Sequence, residues 1–263
     1  MNDRTSTFTP RPGAAPLSRQ VAAQARMETR LMLRNGEQLL LAIVIPVIVL
    51  VGGVAGADRL GLDLDGHRAV DVLTPGVLAL AVMSTAFTST AIATGFERRY
   101  GVIKRLGASP LPRHGLLLGK VLALLNVVAL QLVVLVAVGL ALGWRPTLEH
   151  PATTVGATLL AVAAGTWAFA SLGLFVAGVL RAEATLALAN LVYLLLMAAG
   201  GVVLPTSSYG AASTVIQWLP SAALGDAMRA ALVDAHLDLT ALLVLLAWGA
   251  VGTLLTARTF TWE

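Results

Sequence analysis

Cysteine is absent from the 263 residues, charged residues make up only 12% and aromatic residues 5%. The first absence excludes a disulfide framework and leaves the redox compartment undetermined. The second excludes an ordinary soluble domain, in which about 25% of residues are charged. No His/Glu or Ser/His constellation lies within a hydrophobic run, which argues against an intramembrane protease. Although the sequence pI is about 10.1, no basic surface interleaved with aromatics reads as a nucleic-acid site. The opening "MNDRTSTFTPRPGAAPLSRQ" has no apolar stretch of signal-peptide type, so it is expected to stay on the protein. Residues 1–16 read as a short disordered cytoplasmic tail.

What is present is hydrophobicity: 57% of the chain, with a mean hydropathy of +0.82. Six runs approach or exceed the roughly 20 apolar residues that cross a bilayer: about 39–57, 74–95, 116–142, 153–180, 184–204 and 239–257. The fold class is therefore an all-α membrane protein with six transmembrane helices. Pro46 falls inside the first run, where neighbouring helices would have to cover the carbonyl it frees. With the N-terminus in the cytoplasm, the inner segments hold most of the 18 lysines and arginines. Only Arg59, Arg68, Arg145 and Arg229 fall outside, so both termini are expected to be cytoplasmic. The protein reads as multi-pass in the cell membrane.

Residues 17–36 carry Arg19, Arg26, Arg30 and Arg34 on one helical face and Leu17, Val21, Ala25, Leu31 and Met32 on another. Glu28 interrupts the apolar face. This is either an interfacial helix resting on anionic headgroups or an ordinary positive flank. The inner loop 96–114, "GFERRYGVIKRLGASPLPRHG" with its first and last glycines, combines an acid, five basic residues and two prolines. Helical spacing covers Glu97 to Leu106, with Val102, Ile103 and Leu106 on one side; Pro110 and Pro112 then break it. It is either a short helix offering a partner charge and an apolar face, or a solvated connector. "GLLLGK", ending at Lys120, has one residue too few between its glycines for a phosphate-binding loop, and Val121 follows it. Lys120 is expected to snorkel to the surface.

Outside, Asp58, Asp63, Asp65 and Asp71 accompany His67, but Gly66 comes too early for a calcium loop, and no metal site is assigned. Residues 205–238 are too interrupted to span and too apolar for a free loop. They fit either two short helices dipping into the outer leaflet, with Trp218 at the interface and Asp226 paired to Arg229, or a surface hairpin. Within the spans, Ser84, Thr85, Thr88, Ser89, Asn126, Gln131, Asn190 and Tyr193 supply mild polarity. Apart from Lys120 at one end, the runs contain no ionisable group of the kind an ion-coupled transporter needs. The polar residues either pack helices or line a substrate path, for which Ser84, Thr88, Asn126, Gln131, Asn190 and Tyr193 are the candidates.

Together these parts resemble the membrane subunit of an ABC-2 type transporter, the permease family that includes daunorubicin-type drug exporters. The resemblance covers about Leu17 to the C-terminus. It rests chiefly on the inner loop, Glu97-Arg98-Arg99-Tyr100-Gly101 through Leu106 to Ser109-Pro110. "WLPSAALGDAMRAAL", through Pro220, Asp226 and Arg229, is the second point of similarity. Arg98–Arg99 depart from the family, where many members have another acid. The resemblance implies a type V exporter-like fold, with an N-terminal interfacial helix and a re-entrant outer hairpin over 205–238 within a domain of 17–263. It also implies that Glu97, Arg98, Gly101, Val102, Ile103, Lys104, Arg105, Leu106 and Pro110 form the coupling element for a separate ABC ATPase. That partner would bind ATP and magnesium. No cofactor and no catalytic residue is assigned to this chain, which reads as a transport subunit and not an enzyme. A second permease copy or a paralogue is the other expected partner. The expected cargo is hydrophobic or amphipathic drugs or antibiotics. The alternatives are a lipid, glycolipid or polysaccharide precursor moved by the same machinery, or a secondary transporter or scaffold needing no ATPase.

Overall fold

The computed structural model describes residues 15–60, 66–107, 111–147 and 150–259. The tail expected over 1–16 falls almost wholly outside them, as do Asp63, Asp65 and Pro110. Every regular element among the described residues is helical, the form in which an apolar segment satisfies its own backbone. The order is α1 (Leu17–Arg34), α2 (Gly36–Leu60), α3 (Ala69–Met83), a π-helical turn (Ser84–Ser89) and α4 (Thr90–Arg99). There follow α5 (Val102–Gly107), α6 (Arg113–Ala141), α7 (Pro151–Val179) and α8 (Ala182–Ala199). A 3₁₀ stretch (Thr206–Ala212) leads into α9 (Ser213–Ile216), α10 (Pro220–Leu232) and α11 (Leu239–Thr259).

Among the described residues, five stretches are long and apolar enough to cross a membrane: Ala69–Arg99, Leu118–Ala141, Pro151–Val179, Ala182–Ala199 and Leu239–Thr259. Ala42–Ala57 within α2 is a shorter apolar helix. The continuous rod Ala69–Arg99 is the central post, because its most apolar window is 94% buried against 22% for α8. Leu80, Met83 and Leu135 with Phe169, Leu224 and Leu245 close the core around it. At about 1.5 Å per residue, the 29 residues of α6 and of α7 exceed a hydrocarbon core of about 30 Å.

Pro46 cannot donate to Ala42, the carbonyl four residues earlier. Gln131 of α6 replaces the missing donor: its Nε2 reaches Ala42 O at 3.0 Å. The other end of that amide accepts from Thr85 Oγ1 at 2.6 Å. One buried side chain thus ties α2 and the π-helical turn to α6.

Two elements depart from expectation. The helix expected across 97–106 is two helices, because Gly101 adopts φ +66° and turns the chain between α4 and α5. The fifth run, expected to continue to Leu204, stops at Ala199, and residues 200–204 form an irregular segment. α1, expected as an interfacial helix or a positive flank, runs beside the first half of α6 in the same chain direction. Leu17 lies against Gly115, and Gln24 and Ala25 against Gly119. Val21 clusters with Leu111 and Leu116, while Arg19, Arg26, Arg30 and Arg34 face outward.

Candidate functional site

A cavity of about 600 Å³ lies between α2, the π-helical turn, α4 and α8. Four of the six sequence-predicted path residues line it: Ser84 and Thr88 from the turn, Asn190 and Tyr193 from α8. Apolar surface comes from Ile45, Ile92, Phe96 and Leu194, and among the described residues no charged side chain contributes. A π-helical turn widens the helix locally and recurs at functional sites. Here it presents a hydroxyl face to the cavity; Thr88 Oγ1 is shielded from solvent and has no hydrogen-bond partner in the protein. Such a site can hold an uncharged or weakly polar amphipath by apolar contact and a few hydrogen bonds.

The other two path candidates are placed elsewhere. Gln131 is fully buried and engaged at both ends of its amide, so its role is to hold helices together. Asn126 donates to Thr29 Oγ1 of α1 at 3.3 Å and does not line the cavity.

The inner loop is anchored by its charged residues. Glu97, at the end of α4, turns inward, where its Oε1 accepts from Lys120 Nζ at 2.7 Å. The same ammonium lies 3.1 Å from Glu28 Oε2 of α1, and Gln24 Nε2 donates to the other Glu28 oxygen at 2.8 Å. Lys120 therefore does not simply snorkel; it bridges two carboxylates from two other helices. Glu28 was not assigned a role from the sequence. The signal for it was a lone acid on the apolar face of α1 and a lone lysine at the start of a span.

Arg98 reaches across to α7, donating to the carbonyls of Ala177 and, at 2.8 Å, Gly178. There a positive charge complements the helix C-terminus. Arg99 pairs with Glu183 of α8 and sits over the Tyr100 ring, 5.8 Å from its centroid. Beyond Gly101, Val102 is half-buried and Lys104 and Arg105 are exposed on α5. The side chains of Ile103 and Leu106 lie outside the described residues, as does Pro110. Phe96, which lines the cavity, stacks with Tyr100 at a centroid distance of 6.2 Å and an interplanar angle of 21°. One aromatic pair thus spans from the cavity wall to the residue before the Gly101 turn.

At the opposite end of the bundle, Pro220 is the first residue of α10, where its fixed φ and missing N–H suit a helix start. Two and a half turns on, Arg229 is 7% exposed and spreads its guanidinium over the segment that follows α8. It donates to Gly201 O at 3.0 Å, Val202 O at 3.1 Å and Asp226 Oδ1 at 2.8 Å. Asp226 is held in turn by Thr206 Oγ1 at 2.9 Å. Ser221 covers Gly200 O at 2.7 Å. The carbonyls left bare where α8 ends are thus met by α10, and this is why the fifth run can stop short of Leu204. Val215 and Trp218, beside this lock, are exposed.

Compared with known proteins, residues 19–233 match the family described as ABC-2 type transporter. No curated protein matches the chain.

Proposed function

The chain belongs to the ABC-2 type transporter family, whose membrane subunits work with an ABC ATPase, and from that premise we propose that it exports hydrophobic or amphipathic drugs or antibiotics. The observation that carries this reading is the cavity of about 600 Å³, free of charge among the described residues, and its lining by Ser84, Thr88, Asn190 and Tyr193. Its mixture of hydroxyl, amide and apolar surface suits an amphipathic cargo. The cavity borders α2 and α8, whose outward faces expose Ile48, Leu191 and Leu195. A second permease copy or a paralogue seated there would close its open side. Both termini and α5 would face the cytoplasm of a cell-membrane protein, as the distribution of lysine and arginine favours.

In this reading α5 is the coupling helix. Val102 with Ile103 and Leu106 would give the ATPase an apolar contact, and Lys104 and Arg105 would add charge. ATP and magnesium would bind on the partner. Closure of two ATPases would move α5, and the Phe96–Tyr100 stack would carry that movement to the cavity wall. Glu97 and Arg98 act indirectly, by fixing the end of α4 against α6, α1 and α7. The cycle turns only because ATP-bound and ATP-free partners favour different states of the permease.

The test is ATP-driven uptake of a fluorescent amphipathic drug into inside-out vesicles bearing the chain and the ATPase that co-purifies with it. Gly101→Pro is expected to insert normally, lose the ATPase on pull-down and lose uptake. Thr88→Trp, which fills the cavity, is expected to keep the ATPase and lose uptake. Uptake persisting without ATP would overturn the reading. Stimulation of the ATPase by a lipid-linked sugar and not by drugs would reassign the cargo to a lipid, glycolipid or polysaccharide precursor.

A further inference from the structure

A second cavity, of about 260 Å³, lies between α1, α4, α6 and α7. Leu31 and Met32 of α1, Leu124 of α6 and Leu174 of α7 give it apolar walls, and Glu28, Glu97 and Lys120 all border it. Among the described residues its charge is unbalanced. Two carboxylates share one ammonium, with side-chain exposures of only 13% for Glu28, 23% for Glu97 and 27% for Lys120. Two carboxylates ionised beside one ammonium at a site this shielded are costly, and a proton or a cation at Glu97 would relieve that cost.

The hydrogen bonds locate the imbalance. Both oxygens of Glu28 accept, one from Gln24 and one from Lys120. Glu97 accepts from Lys120 through Oε1; its Oε2 is shielded from solvent and accepts no hydrogen bond from the protein. Shielded carboxylate oxygens normally have a donor. Asn35 and Ser89 line both this cavity and the larger uncharged one, so the two adjoin.

We propose that the smaller cavity binds amphipathic ammonium ions. The N–H of the ligand donates to Glu97 Oε2 and neutralises the cluster, while its hydrocarbon body lies against Leu31, Met32, Leu124 and Leu174. The ammonium class is favoured over a neutral amphipath because only a cation supplies both the donor and the missing charge. The inference deepens the exporter reading and rests on it for its purpose: the site would collect cationic cargo beside the larger cavity.

The test uses the full chain in nanodiscs of phosphatidylcholine, with empty nanodiscs subtracted. Two fluorescent probes of matched shape are compared, naphthylethylammonium and naphthylethanol. The ammonium is expected to bind about tenfold more tightly, the scale of one charge-assisted hydrogen bond. Glu97→Gln keeps an acceptor for Lys120 and removes the negative charge; it should bring the two probes within about twofold of each other, a loss of about 1 kcal/mol of preference, with alcohol binding unchanged. Leu174→Trp should weaken both probes by filling the cavity. Equal binding of the two probes to the unaltered protein would overturn the proposal, showing that a proton or an inorganic cation suffices at Glu97. So would a preference that survives Glu97→Gln. The assay needs neither ATP nor an ATPase. A tenfold preference in a chain that exports nothing would refute the exporter reading alone, and equal binding with export intact would refute the site alone.

Discussion

Gln131 and Arg229 show the same device at opposite places: a long side chain supplies donors to carbonyls that a neighbouring helix has left bare. Replacing Gln131 by Leu removes the donor to Ala42 O and the acceptor for Thr85. Each shielded group left unsatisfied costs about 1–3 kcal/mol, so thermal unfolding in detergent should begin several degrees lower, with the protein still inserted. Arg229→Gln leaves Asp226 with Thr206 alone and takes the guanidinium donors from Gly201 O and Val202 O. Breaking a buried ion pair in this way costs about 3–5 kcal/mol, and the expected result is a sharp fall in the yield of folded protein. Half of each arrangement is legible in the sequence. Pro46 announces a free carbonyl, and Asp226 and Arg229 announce a pair by their spacing of three. Nothing in the spacing of Gln131 points to Ala42, because that contact depends on how α6 meets α2.

At the scale of elements, the apolar runs are legible because some 20 uncharged residues in lipid have few options besides a helix. The π-helical turn is not legible. Its polar residues stand out as a group, yet the change of hydrogen-bonding register shows only in the fold. The same limit applies to the inner loop, where apolar spacing supports one helix and Gly101 makes two. Substituting Gly101 by Ala meets no neighbouring atom, so its cost is conformational. A non-glycine residue held at φ +66° is strained by about 1–3 kcal/mol. Gly101→Ala should therefore give an intermediate phenotype, with normal insertion and ATP-driven uptake reduced but not abolished. Uptake equal to the unaltered protein would show that the angle between α4 and α5 does not matter to coupling. The ionic cluster is the hardest part to foresee, since Glu28 meets Lys120 across 92 residues of chain and composition says nothing of their distance.

The molecule as a whole separates its chemistry by end. Glu28, Glu97, Lys120 and Arg98 bind helices together at the end that carries α1 and α5, and Arg229 locks the other. Between them the bundle leaves apolar faces outward on α2, α6, α7, α8 and α11. Ile48, 62% exposed on α2, is the most exposed large apolar side chain of that helix among the described residues. Because the chain has no cysteine, Ile48→Cys would introduce its single thiol. In native membranes a short bis-maleimide is expected to link it to a second copy, giving a band at twice the mass of 27.2 kDa. Failure to link there, with efficient linking from Leu254→Cys on α11, would place the second copy on another face.

The Gln131 bridge also orders events during synthesis. A ribosome delivers α2 to the membrane well before α6 has been made. For that interval α2 has a carbonyl, that of Ala42, without the donor that Gln131 later supplies. Its final placement waits on a residue still being translated. The first span is therefore among the last to be fixed, and in a truncated chain ending before α6 the backbone of α2 should exchange its amide hydrogens faster than in the full chain.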